Sequence, residues 1–83
     1  MSQQTPGFGF SVDGLRVAFR VSWGTFPHYL QRVVKLTVGK LTLIDAPLTV
    51  ESHAKVLSTV DAILADHPEM LAEFKAAFRQ VTL

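Results

Sequence analysis

The chain contains no cysteine, so neither disulfide bonds nor thiolate metal ligands can stabilise it. At 83 residues it lies near the lower size limit for a domain that folds without such supports. Its stability must come from apolar burial, and 48% of its residues are hydrophobic, which is at the high end for a soluble protein. We expect one compact domain over residues 1–83, with apolar surface left over for a homo-oligomer or a partner.

Long apolar runs are lacking as well. The most apolar stretch, LTLIDAPLTV, is interrupted by Asp45 and Pro47 and is too short to span a bilayer. The first residues, MSQQTPG, carry neither the basic segment nor the apolar segment of a signal peptide. We therefore predict a cytoplasmic protein with no membrane association, in which residues 1–6 form a disordered tail.

Sequence motifs for catalysis and cofactor binding are missing. The chain has no Gly-x-Ser-x-Gly elbow, no glycine-rich phosphate loop and no pair of histidines spaced as metal ligands on a helix. The sequence predicts a protein that is not an enzyme and that holds no cofactor and no metal. One alternative stays open, a small enzyme or metal-binding protein in which His53 or His67 acts with a nearby carboxylate: Asp61, Asp66 or Glu69. Otherwise His53 is a half-buried core residue and His67 a solvated turn residue.

The strongest structural signal is the Asp13-Gly14 dipeptide between two alternating apolar segments. A type I′ hairpin turn needs positive φ at both of its central positions, which Asp-Gly tolerates better than most pairs. Pairing outward from this turn sets Val12 opposite Leu15 and places every second residue on one face. That face is apolar and should be covered, whereas the other face is polar. The apolar row consists of Phe8, Phe10, Val12, Leu15, Val17, Phe19, Val21 and Trp23.

The GFGF segment echoes part of the signature of RNA-recognition motifs, whose aromatic side chains stack on bases from an open sheet. The segment departs from that signature at its basic, aliphatic and last aromatic positions, which are Pro6, Ser11 and Asp13 here. The hairpin partner also places apolar side chains beside Phe8 and Phe10. We therefore interpret both phenylalanines as core residues and not as a stacking platform.

A second hairpin is predicted at LTVGKLTL, with Gly39 first in a two-residue type II′ turn. The register of that turn pairs Leu36 with Leu43 and places both on an apolar face. Between the two hairpins, Gly24 should break the strand. We expect a loop or a short helix from there to about Gln31, followed by extended chain.

From Thr49 the apolar spacing changes from two to about 3.6 residues, which indicates helices. Thr49 is a suitable N-cap for the first helix. After a break, Asp66 can cap a second helix, with Glu69 at the position that a capping box requires. Each helix carries an apolar stripe and needs a surface to cover.

Together these elements predict an α+β fold of two layers. An antiparallel sheet of two β-hairpins, at about 8–23 and 33–45, forms the first layer. A C-terminal helical hairpin, at about 50–65 and 67–80, covers one face of that sheet. The sequence contains no repeat and no linker, so one compact unit accounts for all of it.

The two halves of the chain carry opposite charge, although the net charge of the whole is only +1. Through Ile44 five basic residues face one acid, and from Asp45 onward three basic residues face six acids. The polar face of the predicted sheet therefore offers a candidate basic face that can track the phosphates of a nucleic acid. Its residues are Arg16, Arg20, Lys35 and Lys40. The alternative is a face that is only solvated or that meets an acidic protein.

A second candidate surface is the stretch WGTFPHYLQR, which begins at the chain reversal after the first hairpin. Tryptophan, tyrosine and arginine contribute much of the binding energy at protein interfaces. The candidate interface residues are Trp23, Phe26, Tyr29 and Arg32. Trp23 and Phe26 also have a second interpretation, in which they close the end of the core between the sheet and the helices.

The excess of apolar residues and the missing motifs favour a small non-enzymatic protein-binding module, such as an inhibitor, adaptor or assembly factor that acts by steric contact. We expect its partner to be another protein or a second copy of itself. Compact cysteine-free chains occur widely among bacterial and phage accessory proteins, to which this chain is similar in style. The alternative function is nucleic-acid binding through the basic face.

Overall fold

A computed structural model of the chain describes residues 7–25 and 30–81, so the predicted tail at 1–6 lies outside the described residues. The elements are β1 (Gly7–Val12), β2 (Leu15–Thr25), β3 (Leu30–Val38), β4 (Leu41–Pro47), α1 (Val50–Ile63) and α2 (Pro68–Arg79). Each strand pairs antiparallel with the next one in the chain, which gives a single sheet in the order β1-β2-β3-β4. The predicted α+β fold of an antiparallel sheet with two C-terminal helices is confirmed.

Two tight turns form where the glycines predict them. Asp13 and Gly14 have φ angles of 50° and 82°, so both central positions of the first turn are left-handed, as type I′ requires. In the turn between β3 and β4, Gly39 has a φ of 61° and the residue after it does not have a positive φ, which matches type II′. The register of the first hairpin follows from its turn, with Val12 opposite Leu15 as predicted.

The predicted pairing of Leu36 with Leu43 is wrong. A bulge at the junction of Leu36 and Thr37 makes Leu43 an extra residue of β4 and sets Ile44 opposite Leu36. Ile44 is buried in consequence, whereas Leu43 is exposed. Because side chains alternate along a strand, one inserted residue decides which of the two neighbours enters the core.

The two hairpins are joined by a third antiparallel pairing, between β2 and β3. The predictions that Gly24 breaks the strand and that a loop or short helix extends to Gln31 are wrong, since these two residues pair with each other. A Cβ atom on Gly24 would lie 3.2 Å from Cγ2 of Val33, so the strands approach closely there. The ladder of hydrogen bonds outweighs the weak strand propensity of glycine. The part of that prediction that falls on residues 26–29 lies outside the described residues.

The two helices begin differently. At the predicted N-cap of α1, the Thr49 hydroxyl accepts a hydrogen bond from the N–H of Ser52, and Ser52 Oγ accepts one from the N–H of Thr49. The N-cap of α2 is His67, which makes no side-chain capping bond. The prediction that Asp66 caps this helix is wrong, because Pro68 takes the first helical position and makes His67 the cap. Within the described residues, neither helix is long and apolar enough to cross a membrane.

The core lies between one face of the sheet and the two helices. Phe74 of α2 is fully buried. Its ring makes edge-to-face contacts, at centroid distances of 6.2, 6.2 and 5.2 Å, with three rings of the first hairpin: Phe8, Phe10 and Phe19. Phe8 and Phe10 are half-buried and pack against the core, which confirms that they face inward. The buried hydrophobic residues are Val12, Val17, Phe19, Val21, Val34, Leu36, Ile44, Val56, Val60, Leu64, Phe74, Phe78 and Val81.

Candidate binding surfaces

The described residues leave the apolar face of the sheet uncovered where β2 ends and β3 begins. On this face Val21 and Val34 are buried, but further out along the same strands Trp23 and Leu30 are 61% and 65% exposed. Arg32 lies directly opposite Trp23 in the register and is half-buried. We call Trp23, Leu30 and Arg32 the tryptophan patch.

The tryptophan patch contains two of the four predicted interface residues, Trp23 and Arg32. The other two, Phe26 and Tyr29, lie outside the described residues. The interpretation in which Trp23 closes the end of the core does not hold, because its side chain is mostly exposed. Leu30 is a member that the sequence prediction missed. Its place on this face follows from the pairing of β3 with the end of β2, which the expected loop or short helix excludes.

Other large apolar side chains are exposed at the opposite end of the sheet. Leu15 and Leu41 stand beside the two tight turns, and Leu41 is 67% exposed. The prediction that Leu15 belongs to the covered row is wrong, since more than half of its surface is exposed. Leu41 is therefore a suitable control for Leu30, because it is equally exposed but lies far from the tryptophan patch along the sheet.

The other face of the sheet carries an open groove of about 490 Å³. Its floor includes residues with little or no side chain, namely Gly7, Gly9 and Ala18. These residues alternate along β1 and β2 with residues that face the core. Three exposed cations line the groove: Arg16, Arg20 and Lys35. We call this feature the basic groove.

The basic groove brings together three of the four residues of the predicted basic face. Arg20 and Lys35 are direct partners across β2 and β3, and Arg16 projects from the same side of β2 as Arg20. Lys40 lies in the turn between β3 and β4 and does not line the groove. Gly9 leaves space for Arg16, because a Cβ atom on Gly9 would lie only 2.7 Å from Nη2 of that arginine.

The cations of the basic groove have no acidic partner within the described ranges. The acids that contact a basic group there are Asp61, which forms an ion pair with Lys75 of α2, and Asp13, whose carboxylate lies against the ring of His67. Asp45 of β4 lies opposite Lys35 in the register but forms no ion pair with it. The positive charge of the groove is therefore balanced by solvent and dissolved ions.

Among the residues of the enzyme or metal alternative, Asp66, His67 and Glu69 line one open pocket at the turn between the helices, and His53 is not part of its lining. His53 is half-buried as predicted, and its ring packs against that of Phe78 at a centroid distance of 4.6 Å. His67 lies in the turn between the helices with 31% of its side chain exposed, and its Nε2 lies 3.1 Å from Oδ2 of Asp13 in the first turn. In the part of the chain that the structure describes, no group of three or more His, Asp or Glu side chains is placed to hold a metal ion.

Comparison of the chain with protein-family models, curated proteins and solved structures found no match. The structure therefore defines the protein by its architecture, a small α+β domain in which a four-stranded antiparallel sheet carries a pair of helices. Because a fold by itself does not determine a function, the function is to be inferred from the two exposed surfaces.

Proposed function

We propose that this protein is a small non-enzymatic binding module that docks another protein, or a second copy of itself, through the tryptophan patch. The observation that supports the proposal is the exposure of Trp23 and Leu30 on the same face of the sheet as the core. In this role the protein is an inhibitor, adaptor or assembly factor that acts by steric contact. We further propose a cytoplasmic location, with which a chain free of cysteine is compatible.

The free energy of burying Trp23 is sufficient to anchor a partner at the tryptophan patch. A tryptophan side chain buries roughly 150–250 Å² when it is covered completely. Covering the exposed part of Trp23 therefore contributes about 3 kcal/mol at ~25 cal/mol per Å². Arg32, directly opposite Trp23, adds hydrogen-bond donors for a carboxylate or a backbone carbonyl of the partner. A central aromatic residue with a polar neighbour is the usual composition of a binding hot spot.

The test compares Trp23→Ala and Leu30→Ala with Leu41→Ala, the matched truncation at the other end of the sheet. We expect both patch variants to lose roughly tenfold or more in binding affinity, as hot-spot truncations do. Self-association is measured by size-exclusion chromatography with light scattering, and partner binding by affinity capture from native cells. Leu41→Ala should behave like the unsubstituted protein in both assays. All three should keep the circular dichroism spectrum of the fold.

Two results would count against this proposal. One is a protein that stays monomeric at every concentration and captures nothing whose recovery depends on Trp23. The other is an equal loss in Leu41→Ala, which would indicate general adhesion of exposed apolar side chains and no specific docking surface.

A further inference from the structure

The arrangement of charge in the basic groove is unfavourable for the isolated protein. Arg20 and Lys35 are direct cross-strand partners on the same face, and like charges in this position destabilise a sheet. Neither side chain forms an ion pair with a described residue. Such a pair gains favourable interactions when an anion lies between the two cations.

The length of the basic groove suits a chain of anions better than a single one. Arg16 and Arg20 are four residues apart on one strand, which separates their Cα atoms by roughly 13 Å. Lys35 stands beside Arg20 on the neighbouring strand. The guanidinium group of Arg16 lies beside Gly9, on the side of β2 that leads toward Arg20. Successive phosphates of a polymer can contact the three cations separately, whereas a single phosphate would have to draw all three side chains to one point.

The floor of the basic groove restricts how a ligand is held. Gly7 and Ala18 let the ligand approach the sheet backbone closely, whereas the space above Gly9 holds the guanidinium group of Arg16. Phe8 and Phe19 line the groove from β1 and β2, but both rings pack against Phe74 on the core side of the sheet. Among the described residues, the groove therefore offers no ring on which a base can stack. The contacts offered are therefore to phosphates, and such contacts carry no sequence information.

From these observations we propose that the basic groove binds the phosphodiester backbone of a nucleic-acid strand, without sequence preference. The site lies on the opposite face of the sheet from the tryptophan patch and is independent of it. Guanidinium groups of Arg16 and Arg20 bind phosphate oxygens in the two-point geometry that arginine favours, and Lys35 adds a third charge. An acidic protein surface is the alternative ligand for these cations, and a poly-glutamate peptide distinguishes it from a nucleic acid.

The experiment measures fluorescence anisotropy of labelled oligothymidine and oligouridine, each about 20 nucleotides long, a length that exceeds one site. Each phosphate contact to a single strand contributes about −0.7 to the slope of log affinity against log salt. Three contacts predict a slope of about −2, so affinity should fall about 20-fold between 50 and 200 mM salt. Both oligonucleotides should bind with similar affinity.

Two sets of variants assign the binding to the groove. Arg16→Ala with Arg20→Ala should reduce the slope to about −0.7 and leave only about a threefold loss of affinity over the same salt range. A control with the same net charge combines Lys55→Ala and Arg79→Ala, exposed cations of the helices, and should keep the full slope. Asp45→Asn removes the acid beside Lys35 and should raise affinity about twofold at low salt.

Several outcomes would overturn the proposal. The first is no binding of either oligonucleotide at 50 mM salt. The second is an equal loss in the helical control, which would indicate an effect of net charge only. The third is equal binding of a poly-glutamate peptide of matched charge, which would assign the groove to an acidic protein. The fourth is complete competition by inorganic phosphate at an equal concentration of phosphate groups, which would indicate a site for a single phosphate.

Discussion

Gly9 shows how a missing side chain shapes the basic groove. A Cβ atom at this position would lie 2.7 Å from Nη2 of Arg16 and 2.8 Å from Cβ of Ala18. The guanidinium group can move aside, but the Ala18 methyl is fixed to β2, so the two strands would have to shift. The φ of Gly9 is not positive, and this glycine is therefore required for close approach and not for a left-handed backbone.

We expect Gly9→Ala to lower the free energy of unfolding by about 1–3 kcal/mol, the usual cost of overpacking. Urea denaturation followed by circular dichroism measures this change. The same variant should weaken oligothymidine binding, because the new methyl displaces Arg16 from the groove. Gly14→Ala is the control: its Cβ meets nothing within 4 Å, so it should cost about 1–2 kcal/mol through its left-handed backbone alone. Its affinity for oligothymidine should not change.

At the scale of elements, one serine joins the last strand to the first helix. Ser52 is buried, and its hydroxyl donates a hydrogen bond of 2.8 Å to the carbonyl oxygen of Pro47 at the end of β4. Ser52 Oγ also accepts a hydrogen bond of 2.9 Å from the N–H of Thr49. The direction in which α1 leaves the sheet is therefore determined by a polar contact as well as by the apolar stripe.

Ser52→Ala should lower the free energy of unfolding by about 1–2 kcal/mol. The carbonyl of Pro47 and the N–H of Thr49 lose their hydrogen-bond partner, and one of the two bonds of the capping box is removed. Ser58→Ala is the matched control within the same helix. Ser58 is exposed and bonds only to the carbonyl of Lys55, so its replacement should change stability by less than about 0.5 kcal/mol. Equal midpoints in urea for Ser52→Ala and the unsubstituted protein would show that the capping contact contributes nothing.

At the scale of the whole molecule, the two layers differ in charge. The basic residues of the groove are on the sheet, and the exposed acids of the C-terminal half lie mostly on or between the helices: Glu51, Asp61, Asp66, Glu69 and Glu73. A polyanion is therefore attracted to one side of the molecule and repelled by the other. This separation of charge orients the protein as it meets a polyanion, even though its net charge is only +1.

The core that holds the two layers together centres on Phe74. We expect Phe74→Ala to cost about 3–5 kcal/mol, against a total stability of about 4–12 kcal/mol for a chain of this length. Thermal denaturation followed by circular dichroism should show a melting temperature lowered by tens of degrees, or a chain already partly unfolded. Phe74→Leu keeps most of the volume and should cost clearly less. Similar melting curves for Phe74→Ala and the unsubstituted protein would contradict this view of the core.

The sequence by itself determined the features that depend on a few neighbouring residues. Asp13-Gly14 and Gly39 indicated both turns, since few residues other than glycine and aspartate tolerate their backbone angles. Alternation within the first hairpin indicated which side chains share the face that carries the core, although Leu15 and Trp23 of that face stay exposed, and Thr49 indicated the start of α1. These signals act over short distances along the chain, and the rest of the fold did not need to be known.

Only the tertiary structure decided the features that depend on contacts between distant segments. The pairing of β2 with β3 carried the strand through Gly24, placed Leu30 beside Trp23 and set Arg20 against Lys35. The bulge in β4 replaced Leu43 by Ile44 in the core. Each candidate surface was completed in this way, because the free energy of a long-range ladder and of apolar burial outweighs local propensity. The pairing of distant strands cannot be predicted from a single stretch of sequence.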